Sequence, residues 1–368
     1  MINKIDRYLF YIAYTLMLSR RLLMTIDVLA PFFKYTQPLC LVILGWIILS
    51  KLPKYDLKTL FGGILVGMII FMNYTIAHKM FIVYIFLLVL AFKDMDFTEF
   101  IRYELILKIL LMIIVFYMCY TGNIHNVVYY RGDHITQALG FSNPNGLGAY
   151  ALSICCSYMY LRYKKIRFYD YLIVILVMYG VYEITYCRTA IIGIALLLIS
   201  ILMLQLYHKY NLHIPNLKKL LPLVPILIFV GFMFIFFQYG KSDFVYTIDY
   251  YLSERLKCGW EFYKVFGITL LGNDVSSVAK IYALDNAYLA LLIRYGALIL
   301  GLFLGLHCLG IKQILKEHNK SKEILIIIII VYLIYGISET TLFKFYFNPF
   351  ILFLSTFVFN QPISPKNN

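Results

Sequence analysis

Apolar runs of roughly 15 to 25 residues, parted by short polar breaks, dominate the chain, and a helix of that length crosses a hydrocarbon core of about 30 Å. The pattern predicts an all-α polytopic membrane protein with about twelve spans. They fall near residues 6–24, 36–50, 59–74, 79–92, 101–120, 144–161, 169–186, 188–206, 219–238, 284–311, 323–338 and 344–360. Arg20, Arg21 and Asp27 interrupt the continuation of the first. Two breaks are long, 121–143 and 239–283, and both fall on one side of the expected topology. No internal repeat and no soluble domain stands out, so 1–368 reads as one integral membrane domain. The run "MINKIDRYLFYIAYTLMLSRR" lacks a small-residue cleavage site and precedes more apolar runs, so it reads as a span and not as a secretory signal.

Composition sharpens this picture. The chain is 62% hydrophobic and 14% charged, more apolar than a soluble domain needs. Its net charge of +14 suggests nucleic acid in a soluble protein, but here it orients loops. Lys51, Lys54 and Lys58 share one connection, and Arg162, Lys164, Lys165 and Arg167 a second. Lys209, Lys218 and Lys219 share a third, and Lys312, Lys316, Lys320 and Lys322 a fourth. Even numbers of spans separate these connections, which places them on one side, expected to be cytoplasmic together with both termini. The 7 cysteines include no CxxC pair and read as small core residues.

Candidate chemistry gathers on the opposite side. In the first long loop, "YYRGDHITQ" sets Arg131, Asp133 and His134 around Gly132. A solvated turn accounts for Asp133 and His134, while Arg131 beside an imidazole equally suits an anion. In "LGFSNPNGLGAYAL", Pro144 fits a first helical turn, and Ser142 or Asn143 can cap it. Capping does not explain Asn145, Gly146 and Gly148, which would let a backbone or a ligand come close. Such a helix start also favours phosphate. "TYCRTAIIGIAL" puts Arg188 at a non-cytoplasmic helix start, where positive charge is unexpected, with Glu183 as a possible partner.

In the second long loop, "DYYLSERLKCGWEFYKVFG" predicts an amphipathic helix. Leu252, Leu256, Gly259, Tyr263 and Phe266 share one face, and Glu254, Lys257, Glu261 and Lys264 the other. Arg255 lies only about 60° from the apolar centre, so it is expected to meet a buried or bound anion. Asp285 and Asn286 open the tenth expected span, either as a cap or as a carboxylate serving a hydroxyl. Glu339 and Lys344, in "SETTLFKF", offer a further charged pair on the same side, although loop chemistry accounts for them better.

"LGFSNPNGLGAYAL", "TYCRTAIIGIAL" and "LDNAYLALLIRYGALILG", in this order, resemble the O-antigen polymerase and ligase superfamily, above all the Wzy-type oligosaccharide repeat-unit polymerases. The motifs cover roughly 40 residues, although the topology covers most of the chain. The resemblance implies a glycosyltransferase C-like fold in the bacterial cytoplasmic membrane. It implies a reaction at the outer leaflet that needs no metal and no cofactor. The substrates would be polyprenyl-diphosphate-linked oligosaccharides, polymerised into capsular or exo-polysaccharide or O-antigen. Flippase and chain-length regulator proteins are implied as partners. By position, the diphosphate-holding arginines carry over to Arg188 and Arg255, with Arg131 a further candidate. Asp285 would be base or orienter, and His134, Asn143, Asn145 and Asn286 would line the substrate. Ligases of this superfamily commonly have histidine where Asp285 stands, which weakens a ligase reading. A lipid-linked oligosaccharide flippase is the rival from another class, and it should carry charges deep within several spans.

Overall fold

The computed structural model describes residues 4–24, 29–131, 134–211, 216–317 and 321–363; Asp27, Gly132, Asp133 and Lys320 lie outside them. Helices α1 (Lys4–Leu23), α2 (Ala30–Lys51), α3 (Leu57–Ala77), α4 (Phe81–Ala91) and α5 (Phe97–Tyr120) come first. A short antiparallel hairpin follows, β1 (Val128–Arg131) with β2 (His134–Gln137), pairing Val128 with Gln137 and Arg131 with His134. Then come α6 (Pro144–Arg162), α7 (Phe168–Thr185), α8 (Arg188–Lys209) and α9 (Val224–Phe237). The second long loop folds into α10 (Asp243–Tyr251) and α11 (Arg255–Phe266). The chain closes with α12 (Ala287–Leu289, continued as a π-turn to Arg294), α13 (Ala297–Lys316), α14 (Ser321–Tyr335) and α15 (Leu354–Val358).

The protein is all-helical apart from that hairpin, as the apolar pattern predicts. Among the described residues, 7 helices are long and apolar enough to cross a membrane: those at 30–54, 57–77, 97–120, 168–185, 188–209, 218–237 and 297–316. At the other expected positions α1, α4, α6, α14 and α15 are shorter or more polar. Lipid-facing character shows on α3, whose Phe61, Leu65, Met68 and Phe71 are all exposed.

Three expected elements differ from the observed ones. The expected span 284–311 is broken at Tyr295–Gly296. Gly296 has φ +92, and a Cβ there would meet Gly272 N at 2.4 Å, so the two backbones approach as only glycines permit. Asn73, at the end of α3, secures the break by donating to Leu271 O (2.7 Å) and Tyr295 O (2.9 Å). The apolar stretch 344–360 is mostly tight turn, a 3₁₀ segment Pro349–Phe353 and the short α15, although nearly all of it is buried. The expected single amphipathic helix is two, because Ser253 and Glu254 turn the chain with positive φ. Asp249 bridges the turn by accepting from Leu256 N (2.6 Å) and Lys257 N (3.1 Å), and so caps α11.

Packing joins these pieces without help from the hydrophobic effect, which lipid cancels between spans. Small residues let helices meet. A Cβ on Gly148 of α6 would sit 2.9 Å from both Ala190 Cβ and Cys187 Sγ, which seats the start of α8 directly on α6. Phe10, Tyr14, Phe92 and Phe100 form edge-to-face pairs that lock α1 to α5.

The bundle has two chemically distinct ends. At one, Lys51 donates to Ala91 O (2.8 Å) and Thr59 to Val358 O (3.2 Å), while Phe97 N reaches Ile363 O (3.1 Å). There too Glu323 meets Tyr163 (3.2 Å) and His208 (2.8 Å). The lysine-rich connections and both terminal segments therefore share this end. The other end carries both long loops.

Candidate functional site

At the lysine-poor end the starts of α6, α8, α11 and α12 converge on the turn after α14. Each start is set locally. Asn143 caps α6 by accepting from Gly146 N (2.6 Å), and Pro144 occupies the position whose N–H is not needed. Asn286 caps α12 by accepting from Leu289 N (2.9 Å), and its amide donates to Ile337 O. Ala287 N also reaches Gly336 O (2.9 Å), so α12 is anchored to the turn that carries Glu339. Both asparagines are thus occupied with holding backbone.

Glu339 is the centre of the site. Its Oε1 accepts from Arg255 Nη2 at 2.6 Å and from Asn145 Nδ2 at 3.3 Å. The Arg255 and Glu339 side chains are each 9% exposed. Arg255 Nη1 is buried and has no hydrogen-bond partner among the described residues. A guanidinium is a planar fork built for two-point recognition of an anion; here one tine holds Glu339 and the other is buried with its bonding capacity unspent among the described residues. Burial raises the Glu339 carboxyl above its ordinary pKa, against the pull of Arg255. Asp285, half-buried, lies close enough to act electrostatically on Arg255, Glu339 and Lys344.

More cations stand around this pair. Lys344 donates to Thr340 Oγ1 (2.6 Å), and burial, then the neighbouring Arg21, lower its ammonium to about 8. Arg294, at the end of α12, adds to the charge that Lys344 feels and has a buried Nε with no partner among the described residues. Glu339 and Asp285 thus act on both Arg255 and Lys344, and Arg294 acts on Lys344.

Of the expected site residues, Arg255, Asp285 and Asn145 come together here. Arg188 stands at the rim and is exposed, its guanidinium 5.4 Å from the Tyr186 ring centroid. Among the described residues no ion pair joins it to Glu183. The preceding residue, Cys187, feels the charges of Glu339 and Arg255. His134 stacks on the same Tyr186 ring at 4.2 Å. Arg131 is the strand partner of His134. Sequence reasoning set Glu339 and Lys344 aside as loop chemistry and did not single out Arg294. A faint signal existed for the first: an acidic residue directly after the isoleucine-rich α14, where a cap needs none.

Comparison with protein-family models, with curated proteins and with solved structures found no match.

Proposed function

We propose that the chain is a Wzy-type repeat-unit polymerase. It moves a growing glycan from its polyprenyl diphosphate to a hydroxyl of an incoming lipid-linked repeat unit. Arg255 supports this most: a buried arginine, fixed by Glu339 on one side and with bonding capacity unspent among the described residues on the other, at one end of a membrane bundle. In the step, Asp285 takes the acceptor hydroxyl's proton. The acceptor oxygen bonds to the anomeric carbon, and the bond from that carbon to the diphosphate oxygen breaks. The diphosphate leaves with the electron pair, and Arg255, Arg294 and Lys344 meet its charge. A positioned base contributes typically 10²–10⁴-fold, and fixed cations stabilise the leaving charge without reorganising. Glu339 and Asn145 hold Arg255 in place, and Arg188 and His134 guide the glycan at the rim.

On this reading the lysine-rich end faces the cytoplasm with both termini, the chain crosses the bacterial cytoplasmic membrane about twelve times, and the site opens at the outer leaflet. The flippase reading has one specific observation in its favour. Glu104 and Lys108 form an ion pair within α5, and both side chains are 0% exposed. That pair is sealed: Lys108 bonds Ser153, and Ser157 donates to Glu104 at 3.1 Å, so it faces α6 and no water-filled path. A flippase needs charges that line an opening to both sides.

The test uses the purified chain in lipid, given a defined polyprenyl-diphosphate repeat unit with chelator present. The polymerase reading expects a ladder of longer lipid-linked glycans. Movement of that lipid between leaflets, with no elongation, would make the protein a flippase.

A further inference from the structure

A cavity of about 460 Å³ lies between the end of α1, the start of α2, the start of α4 and Phe345–Tyr346. That is within the range of ligand pockets, about 300–1,000 Å³. Its walls are largely apolar and aromatic, including Met17, Phe81, Tyr84 and Tyr346, and its charged groups among the described residues are Arg20 and Arg21. Arg20 is held by its Nε bond to Phe33 O at 3.1 Å, and Arg21 lies over the Tyr346 ring at 5.5 Å with Nη2 3.4 Å from Ser142 Oγ. A more open hollow of about 720 Å³ shares Arg20, Met24 and Gln37 with it and adds Lys34.

Three facts make this more than a gap between helices. Paired arginines at the lysine-poor end run against the orientation bias that loads positive charge on the other end. The cavity combines cations with apolar and aromatic walls between membrane helices, which matches a lipid carrying an anionic head. It also abuts the site already described. Lys344 Nζ lies 5.8 Å from the centroid of Phe81, a cavity wall, and Lys344 feels both Arg21 on the cavity side and Glu339 and Asp285 on the other.

We propose that this cavity is a second phosphate-lipid site, which holds the diphosphate head of the acceptor lipid while Arg255 holds that of the donor. The inference rests on the polymerase reading. A transfer between two lipid-linked glycans needs both lipids bound at once. The acceptor hydroxyl sits on a sugar remote from its own diphosphate, so the two heads must occupy separate sites on the same face.

The experiment counts farnesyl diphosphate bound to the full-length purified chain by native mass spectrometry. The unaltered protein should take two equivalents. The double variant Arg20→Gln/Arg21→Gln should keep one, and Arg255→Gln should keep the other. A single equivalent that Arg255→Gln abolishes would overturn the second site and leave the polymerase reading standing. No binding at all would overturn both. Because the double variant loses the Arg20–Phe33 bond, a benzophenone-bearing isoprenoid diphosphate is also photolysed on the unaltered chain. Labelled peptides should include 17–24 or 345–346, and labelling absent from both overturns the site. Displacement of the probe by phosphatidylglycerol as readily as by inorganic diphosphate would make it a general phospholipid groove, against the proposal.

Discussion

Among the described residues two ion pairs are buried on both sides, and they are built in opposite ways. Glu104 and Lys108 sit one turn apart on a single helix, with Ser153 of α6 bonded to Lys108 and Ser157 to the second carboxylate oxygen of Glu104. Arg255 and Glu339 come from segments 84 positions apart, and one guanidinium nitrogen has no hydrogen-bond partner among the described residues. Burying a charge pair costs desolvation that the pair's attraction barely offsets. A closed pair such as the first returns little beyond helix registration. On the proposed function, an unfinished pair at a convergence of helix starts is where a further anion binds. Burial alone therefore does not mark a site; a buried charge pair drawn from distant segments, at a convergence of helix starts, is the distinguishing feature.

The strongest test of that contrast is truncation. Arg255→Ala should lower turnover by about 10²–10³-fold or more, as expected when one fixed donor to a developing charge is lost, measured as single-turnover glycan transfer. In the sealed pair, Glu104→Ala alone should destabilise by about 3–5 kcal/mol, whereas Glu104→Leu/Lys108→Leu should be near neutral or stabilising. Denaturation in mild detergent reads both, and transfer activity of the double variant should persist. A double variant that folds but is inactive would erase the distinction between the pairs.

A pH series sharpens the electrostatics. With Lys344 lowered to about 8 by burial and by Arg21, its positive charge is present below that pH and lost above it. The kcat/KM for the lipid diphosphate should fall as pH rises through about 8, and Lys344→Arg should move that limb upward. Stability should run the other way. The folded chain sheds this proton more readily than the unfolded chain, so the Lys344 contribution becomes more favourable from about 8 towards the ordinary lysine value.

Smaller effects follow from packing. Gly148→Ala should push α8 off α6 by a few tenths of an ångström and cost about 1–3 kcal/mol, read as a lower melting temperature. Lys257→Ala should change neither stability nor transfer measurably, because its pair with Glu254 is exposed on both sides (47% and 64%).

What the sequence disclosed and what it hid divide along the range of the interactions. The start of α6 was readable because Asn143 and Pro144 act on their own helical turn. The inward direction of Arg255 was readable from helical phase, because an arginine near the apolar stripe of α11 has no solvent to reach. Glu339 was not readable, since its meaning lies in a partner from a different loop and in an amide on α6. The break at Gly296 was hidden for the same reason: residues 287–311 are apolar apart from Arg294 and His307, and only contact with Gly272 and Asn73 shows that the helix cannot run through. The tight turns of 344–353 carry spans' worth of apolar residues because they are buried in protein and not in lipid.

The most direct measurement compares the two pairs in one assay. Purified protein in lipid, given a defined polyprenyl-diphosphate repeat unit and a chelator, is followed for glycan ladder formation in three forms: unaltered, Arg255→Ala and Glu104→Leu/Lys108→Leu. The account predicts a ladder in the first and third and none in the second. A ladder that survives Arg255→Ala in folded protein would contradict it.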